Sequence, residues 1–326
     1  MTDVLILGGT GWLSGHVARR WVDAGASVTC LARGTRPAPV GAALVAADRG
    51  APDAYDAVAD RAWDEVVDIS SRATHVAAAV EALAERAAHW TYVSTVSVYA
   101  RDDVAGEDES APLADPARPD DEYDYSREKA AAEASVRAAL GGRGAIIRPG
   151  LVVGPGDPTD RFGYWVSRFA LAADQEVLAP VSAAGVSVID VDDLADLVFA
   201  VGRDRWSGVA NAVGDGIPFD DVLALARDVG GHTGDVVTAS GPWLEDHDVS
   251  YWMGPRSFPL WLPDEAIGHW TRSNAVYRGL GGSLRPLRET LERTLDDERA
   301  RGLGRERASG LSRSDEEALL AELTQR

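Results

Sequence analysis

The chain alternates short apolar runs with longer alanine-rich segments of helical spacing, and this pattern limits its fold more than any other feature. Strands buried on both faces of a parallel sheet read as continuous apolar runs, and crossover helices must join them. The runs predict strands near 3–7, 27–32, 43–47, 65–69, 90–94 and 144–148. Residues 12–24, 72–88 and 125–139 have helical spacing between them, and Gly25 is placed to end the first helix. The expected fold class is α/β, a doubly wound parallel sheet.

Beyond residue 150 the alternation loosens. Gly154-Pro155-Gly156-Asp157-Pro158 reads as a loop and 161–173 as a helix, while "VSVID" and "VDDLADLVFAV" read as a strand and helix re-entering the sheet. Residues 1–154 are therefore expected to form the sheet domain, completed by about 184–213. Residues 155–183 and 214–303 form a smaller C-terminal lobe over the carboxyl ends of the strands, where ligands of such folds bind. Residues 304–326 are expected to form a peripheral helix, with Ser314 and Glu317 at capping-box spacing. This helix and one near 286–301 read as solvated, and the acidic stretch 102–122 as a mobile surface. The even spacing of Trp243, Trp252, Trp261 and Trp270 is not accompanied by a repeat between them, which favours packing aromatics over a solenoid.

Composition narrows the function classes. A chain of 326 residues with 45% hydrophobic content can bury a large core. A net charge of −20 argues against nucleic acid or an anionic bilayer as partner, because phosphate contacts need clustered cations. Cys30 lies in an apolar run without an intrachain partner, so a reducing setting is expected. Met1 leads almost directly into the first strand, and the apolar runs fall short of the ~18 residues that cross a bilayer, so the expected location is cytoplasmic. The six histidines have no metal-ligand spacing, and Asp190, Asp192 and Asp193 fit helix capping better than a cluster; no metal is expected.

The first strand is followed by "LGGTGWLSGH". Gly8 and Gly11 at a strand-to-helix turn let the backbone approach a pyrophosphate, whose charge the unpaired N–H groups of the helix start stabilise. Trp12 and Leu13 belong to the same turn. The third glycine of such a turn is replaced by Ser14, followed by Gly15. At the end of the second strand, Leu31-Ala32-Arg33-Gly34 lacks the carboxylate that would hold a ribose 2′-hydroxyl. Arg33, helped by Arg36, suits a 2′-phosphate, which favours NADP with NAD as the alternative; an ordinary loop arginine is the competing reading. Asp48, ending the third strand, is placed to approach the adenine or to cap a helix.

"DYDYSREKAA" holds Lys129, the only lysine of the chain; the other 31 cations are arginine. Tyr125 and Lys129 stand four apart on a predicted helix and so share a face. With 8 Tyr in 326 residues, a lysine placed at random would follow a tyrosine by four in about 8 of 326 cases, so chance is a weak explanation. A phenol titrates near ~10 and needs a neighbouring cation to exchange protons near neutrality. Lysine supplies a compact charge where arginine would impose a planar fork. "YVSTVSVYA" sets Ser94 and Thr95 at the end of a buried strand, within reach of the same site.

The glycine turn, "VSTVSVY", "YSREK", "IIRPGLVVGPGD" and "VIDVDDLA", in this order, together resemble the extended short-chain dehydrogenase/reductase family, also called the NAD-dependent epimerase/dehydratase family, over roughly residues 3–300. Wording such as "RPGLVVGPGDPTDRFGYW" is similar to an actinobacterial branch often labelled reductase. The resemblance implies a Rossmann fold, an enzyme with a substrate lobe, Tyr125 as general acid/base, Lys129 lowering its pKa and holding the nicotinamide ribose, and Thr95 bonding the substrate oxygen. It also implies that Ser70 lies by that ribose and that Pro149 shapes the nicotinamide wall, although a strand terminator is an equal reading of Pro149. The activity expected is hydride transfer between NAD(P) and a small hydroxyl or carbonyl compound. A redox-neutral sugar-nucleotide epimerase or dehydratase and a non-catalytic cofactor-binding protein are the alternatives, and a homodimer is the implied assembly. Arg161 is expected either to bind an anion or to pair with Asp157 along a helix.

Overall fold

The computed structural model describes residues 1–324; the last two positions of the 304–326 segment lie outside the described residues. The N-terminal part runs β1 (Asp3–Leu7), α1 (Trp12–Asp23), β2 (Ser27–Ala32), β3 (Ala43–Ala46), α2 (Asp56–Ala59), β4 (Glu65–Asp68), α3 (Ala73–Leu83), β5 (Trp90–Val93), α4 (Tyr125–Leu140) and β6 (Gly144–Pro149). Then follow β7 (Leu151–Val153), α5 (Phe162–Ala172), β8 (Val177–Pro180), β9 (Gly185–Val186), β10 (Val188–Asp190), α6 (Val191–Asp204) and β11 (Gly208–Ala212). The remainder is β12 (Ile217–Pro218), α7 (Phe219–Gly230), β13 (Val236–Ala239), α8 (Gly241–Asp246), β14 (Ser250–Trp252), β15 (Ser257–Pro259), α9 (Ile267–Thr271), α10 (Ala275–Gly279), α11 (Leu287–Arg301) and α12 (Arg313–Thr324).

Seven strands form one sheet in the order β11-β6-β5-β4-β1-β2-β3, and every neighbouring pair is parallel. Successive side chains leave a strand on opposite faces. Val4 and Ile6 of β1 accordingly join a core with α1 and α6, while Leu5 and Leu7 join the opposite core with α3 and α4. This is the doubly wound Rossmann arrangement the alternation predicts. Gly25 takes φ +79 just past α1 and its N–H donates to the Val22 carbonyl at 2.9 Å, a helix end that suits glycine.

The seventh strand is not the one expected. "VSVID" does form β10, but β10 pairs with β7 in a separate two-stranded sheet. The main sheet gains β11, "GVANA", whose small residues and central Asn211 give no strand signal. Asn211 is fully buried there because its polar groups are met: Tyr99 donates to its Oδ1 at 2.6 Å, its amide reaches the Ser273 carbonyl, and Glu109 accepts from its N–H.

A third core joins α5, α7, β8, α11 and α12. The expectation of solvated C-terminal helices is corrected. Glu298 on α11 is 2% exposed and meets Arg301, Arg305 and Arg307, while Glu316 on α12 is 1% exposed, pairs with Arg168 and accepts from the Leu178 N–H. Buried carboxylates need such partners; Arg168 and the Leu178 N–H tie α12 to α5 and β8, while Arg301 and Arg305 also pair with Asp160 before α5. The cap of α12 is Ser312, accepting from the Asp315 N–H at 3.1 Å, two residues before the expected Ser314. Asp190 does cap α6, accepting from the Asp192 N–H. The acidic stretch is also held: its backbone at Asp102 and Glu107 accepts from Gly268 and Ser273, and Arg272 donates to the Arg101 carbonyl.

Between α4 and β6, Arg148 lies 1% exposed and donates to both oxygens of Glu133, itself fully buried, at 2.9 and 2.7 Å. Removing one partner of such a pair strands the other charge. Glu133→Ala is expected to cost roughly 3–5 kcal/mol, measured as a lowered urea midpoint; a change under about 1 kcal/mol would show that the pair is not a closed buried unit.

Candidate active site

A cavity of about 700 Å³ opens along the carboxyl ends of β1, β2, β3 and β4. Gly8, Gly11, Trp12, Leu13, Arg33, Asp48 and Ser70 all line it, so the seven residues converge although they come from four strand ends. The turn at its floor requires its glycines. Gly8 adopts φ +83, a region that side chains disfavour, and a Cβ on Gly9 would come within 2.5 Å of the Cys30 sulfur. Gly11 caps α1 without any side-chain oxygen, so the first-turn N–H groups of the helix face the cavity free of a cap. Ser14 is 2% exposed, and its hydroxyl donates to the Gly8 carbonyl at 2.6 Å. The serine in the third glycine position thus braces the turn from below.

Trp12 fastens this turn to the loop after β7. Its indole N–H donates to the Pro155 carbonyl at 2.9 Å. Asp48 does not cap a helix, since α2 begins at Asp56; its carboxylate accepts from the Gly50 N–H at 3.0 Å at the cavity rim. Arg33 and Arg36 are exposed there, and among the described residues neither makes an ion pair. Nothing in the sequence pointed to Arg49. It lines the cavity and donates to both oxygens of the fully buried Asp68 at 2.7 and 2.6 Å, and also to the Tyr55 hydroxyl and the His75 carbonyl. The contacts to Asp68 and His75 span 19 and 26 residues, which no local motif records.

Tyr125 opens α4, whose cap Asp124 accepts from the Arg127 N–H at 2.9 Å. The residue is 42% exposed, yet desolvation raises its phenol pKa, and the neighbouring Thr95 hydroxyl and the charge of Arg161 pull it back. Thr95, 7% exposed, follows β5 and accepts from the Ser97 N–H at 3.1 Å, which fixes its hydroxyl. One helical turn from Tyr125, Lys129 is 3% exposed. Its Nζ donates to the Val93 carbonyl at 2.7 Å, approaches the Ile69 carbonyl at 3.5 Å, and lies 4.9 Å from the Tyr92 ring centroid. Burial lowers its pKa to about 7 against the support of Asp68 and Glu133. Ser70 sits beside it, its N–H on Asp68 and its carbonyl on the Tyr92 hydroxyl. Pro149 is buried at the end of β6, paired with Ala212. Arg161 precedes α5 instead of lying within it, so the helical pair with Asp157 does not form; its Nε donates to Thr159 Oγ1 at 3.2 Å.

Comparison with known proteins agrees with this architecture. A model of the NAD dependent epimerase/dehydratase family matches residues 4–213. The chain belongs to that family and is an enzyme of the extended short-chain dehydrogenase/reductase type that uses a nicotinamide cofactor. A search of curated proteins gives no match. Among solved structures, a UDP-glucose 4-epimerase shares 17% identity at a TM-score of 0.69, covering 94% of this chain and 100% of its own. The UDP-glucose 4-epimerase of Thermotoga maritima, solved with UDP-glucose, shares 14% identity at a TM-score of 0.69, covering 92% and 99%. The UDP-glucuronic acid 4-epimerase of Bacillus cereus, solved with NAD, shares 14% at 0.67 over the same fractions. Likeness at these identities is a likeness of fold. Among the described residues no helix is long and apolar enough to cross a membrane.

The lysine makes a pH prediction. Its folded pKa of about 7 lies below its ordinary 10.5, so between these values the unfolded chain holds a proton that the folded chain does not. Stability conferred at this position therefore rises with pH across that window. Against Lys129→Met, which has no such group, wild type is expected to gain melting temperature steadily from pH 7 to 10; a difference that is flat with pH would mean that the ammonium is not buried.

Proposed function

We propose that the protein is an NADP(H)-preferring oxidoreductase that moves a hydride between nicotinamide and a small hydroxyl or carbonyl substrate. The observation that carries this reading is the Tyr125 phenol beside the Thr95 hydroxyl, with Lys129 one helical turn away and its Nζ directed at the carbonyl of Ile69, a residue that lines the cavity. The glycine turn, the uncapped start of α1 and the cavity fit a dinucleotide: Gly8 and Gly11 would face the pyrophosphate, Asp48 the adenosine, and Lys129 and Ser70 the nicotinamide ribose. Bound nicotinamide supplies or accepts the hydride.

The chain's own residues manage the substrate oxygen and its proton. Thr95 is fixed by Ser97, so its hydroxyl can hold the substrate oxygen beside the Tyr125 phenol. In the reductive direction Tyr125 Oη donates its proton to that oxygen, and in oxidation it takes the proton back. Burial keeps the phenol protonated, which suits a donor; Thr95 and Arg161 favour the anion that donation leaves. Lys129 holds α4 against the strand ends and so sets where the phenol stands.

Two features support NADP(H). No carboxylate follows β2, and Arg33 and Arg36 present exposed guanidinium groups at the cavity rim without ion-pair partners among the described residues. The epimerase folds among the solved relatives support a second reading, redox-neutral turnover of a sugar nucleotide with retained NAD. Purified protein carrying tightly bound NAD would favour that reading.

The test is NADPH oxidation against a panel of small carbonyl compounds, with cofactor binding followed by fluorescence. Tyr125→Phe is expected to lower turnover at least about a hundredfold while NADPH still binds, and Arg33→Ala to weaken NADPH about tenfold more than NADH. Undiminished turnover in Tyr125→Phe would overturn the chemistry. Tighter NADH than NADPH binding in wild type would overturn the cofactor preference.

A further inference from the structure

Adjacent residues before α5 carry their charges very differently. Asp160 is 5% exposed and saturated, paired with Arg301 and Arg305 and accepting from the Ala308 N–H. Arg161 is half-buried, and among the described residues no carboxylate lies within ion-pair distance of it. The nearby Asp157 carboxylate is occupied by the N–H and hydroxyl of Thr159, at 2.8 and 2.9 Å. Only Nε of the guanidinium is engaged, with Thr159 Oγ1, which leaves both terminal nitrogens free as donors. In a chain with 52 acidic and 32 basic side chains, an unpaired, half-buried arginine stands out, since burial of a cation is normally offset by a partner.

This free cation follows the loop whose Pro155 carbonyl takes the indole N–H of Trp12 from the cavity-lining glycine turn, and its charge favours the Tyr125 phenolate. The guanidinium lies 5.2 Å from the Trp252 ring centroid, and His269 meets the same indole edge-on at 4.9 Å. Trp252 is held at φ +70, a conformation costly for an aromatic residue, with its N–H on the Trp261 carbonyl at 3.1 Å. A strained residue retained beside a free cation presents a fixed aromatic wall to it. That wall orients the guanidinium through the cation–π contact while leaving its donor edge open.

We propose that Arg161 is the specificity-determining residue: its two terminal nitrogens receive an anionic oxygen group, a carboxylate or a phosphate, that the substrate carries near the carbon acted on beside Tyr125. The substrate class is then an anionic hydroxyl or carbonyl compound, an inference that rests on the hydride-transfer reading above. A guanidinium meets either group with parallel charge-assisted bonds, so both fit the same edge.

The experiment uses matched pairs with wild type, Arg161→Gln and Arg161→Lys: 2-oxobutanoate against its methyl ester, and dihydroxyacetone phosphate against dihydroxyacetone. Wild type is expected to prefer the charged member of one pair, which tells carboxylate from phosphate. Arg161→Gln should reduce that kcat/KM preference about ten- to a hundredfold, with partial rescue in Arg161→Lys. Binding of the same four compounds to the NADP-loaded proteins is measured by calorimetry in parallel, so Arg161 is judged even without turnover. Tighter binding of a charged member that Arg161→Gln abolishes supports the proposal. Equal use or equal binding of charged and neutral members by wild type, a preference unchanged in Arg161→Gln, or no binding of any of the four overturns it. Failure of Tyr125→Phe to lose turnover would instead fall on the hydride-transfer reading, with the calorimetry still reporting on Arg161.

Discussion

Lys129 Nζ donates to the Val93 carbonyl, the last of β5, and approaches Ile69, just past β4. One ammonium thus fastens helix α4 to the ends of two sheet strands, at the point where the chain changes from scaffold to site. The contact sets the height of α4, and with it the position of Tyr125 one turn earlier, while Thr95 leaves β5 on the facing side. A parallel sheet offers its free carbonyls at this edge, and a compact ammonium with three donors can engage them and retain one for a ligand. The burial that makes the bond strong also lowers the lysine pKa to about 7, so the anchor is poised to change charge.

The other buried charges are arranged around that anchor. Asp68 and Glu133 both lie near Lys129, and each is claimed by its own arginine, Arg49 from the β3 end and Arg148 from β6. Burial acts most strongly against the lysine's charge and Arg49 adds to it, while Asp68 and Glu133 both support the ammonium. Arginine serves where a planar fork meets a carboxylate, and lysine stands where two carbonyls and a ring must be met by a point charge. The C-terminal helices apply the same chemistry at the lobe, with Glu298 and Glu316 buried against arginines. Among the described residues Arg161 is left outside these ion-pair networks.

What could be read from the sequence follows from range. The first six strands and the three long helices α1, α3 and α4 were legible because each is a local run with its own period, whereas the short α2 was not; the seven cavity-lining residues could be placed because each sits at or just after a strand end that the alternation locates. Strand β11 was not, since its burial depends on Tyr99, Glu109 and Ser273 meeting Asn211 from far along the chain. Arg49 escaped for the same reason, its meaning residing in Asp68. The acidic stretch and the last helices looked solvated because charge suggests water; their partners are arginines and backbone groups supplied by tertiary structure. Ser14 departed from the expected glycine and proved to be compatible with the turn, because its hydroxyl satisfies the Gly8 carbonyl.

The account depends on Lys129 acting as a point charge of fixed reach, not merely as a positive residue. Its most direct test is the turnover of Lys129→Arg, measured with NADPH well below the melting temperature and with circular dichroism as the control for folding. The charge is kept, but the planar fork cannot reproduce the bond to Val93 and hold Tyr125 in register, so turnover should fall at least about a hundredfold in a folded protein. Wild-type turnover in Lys129→Arg would contradict the account, because the lone lysine would then be an accident of composition.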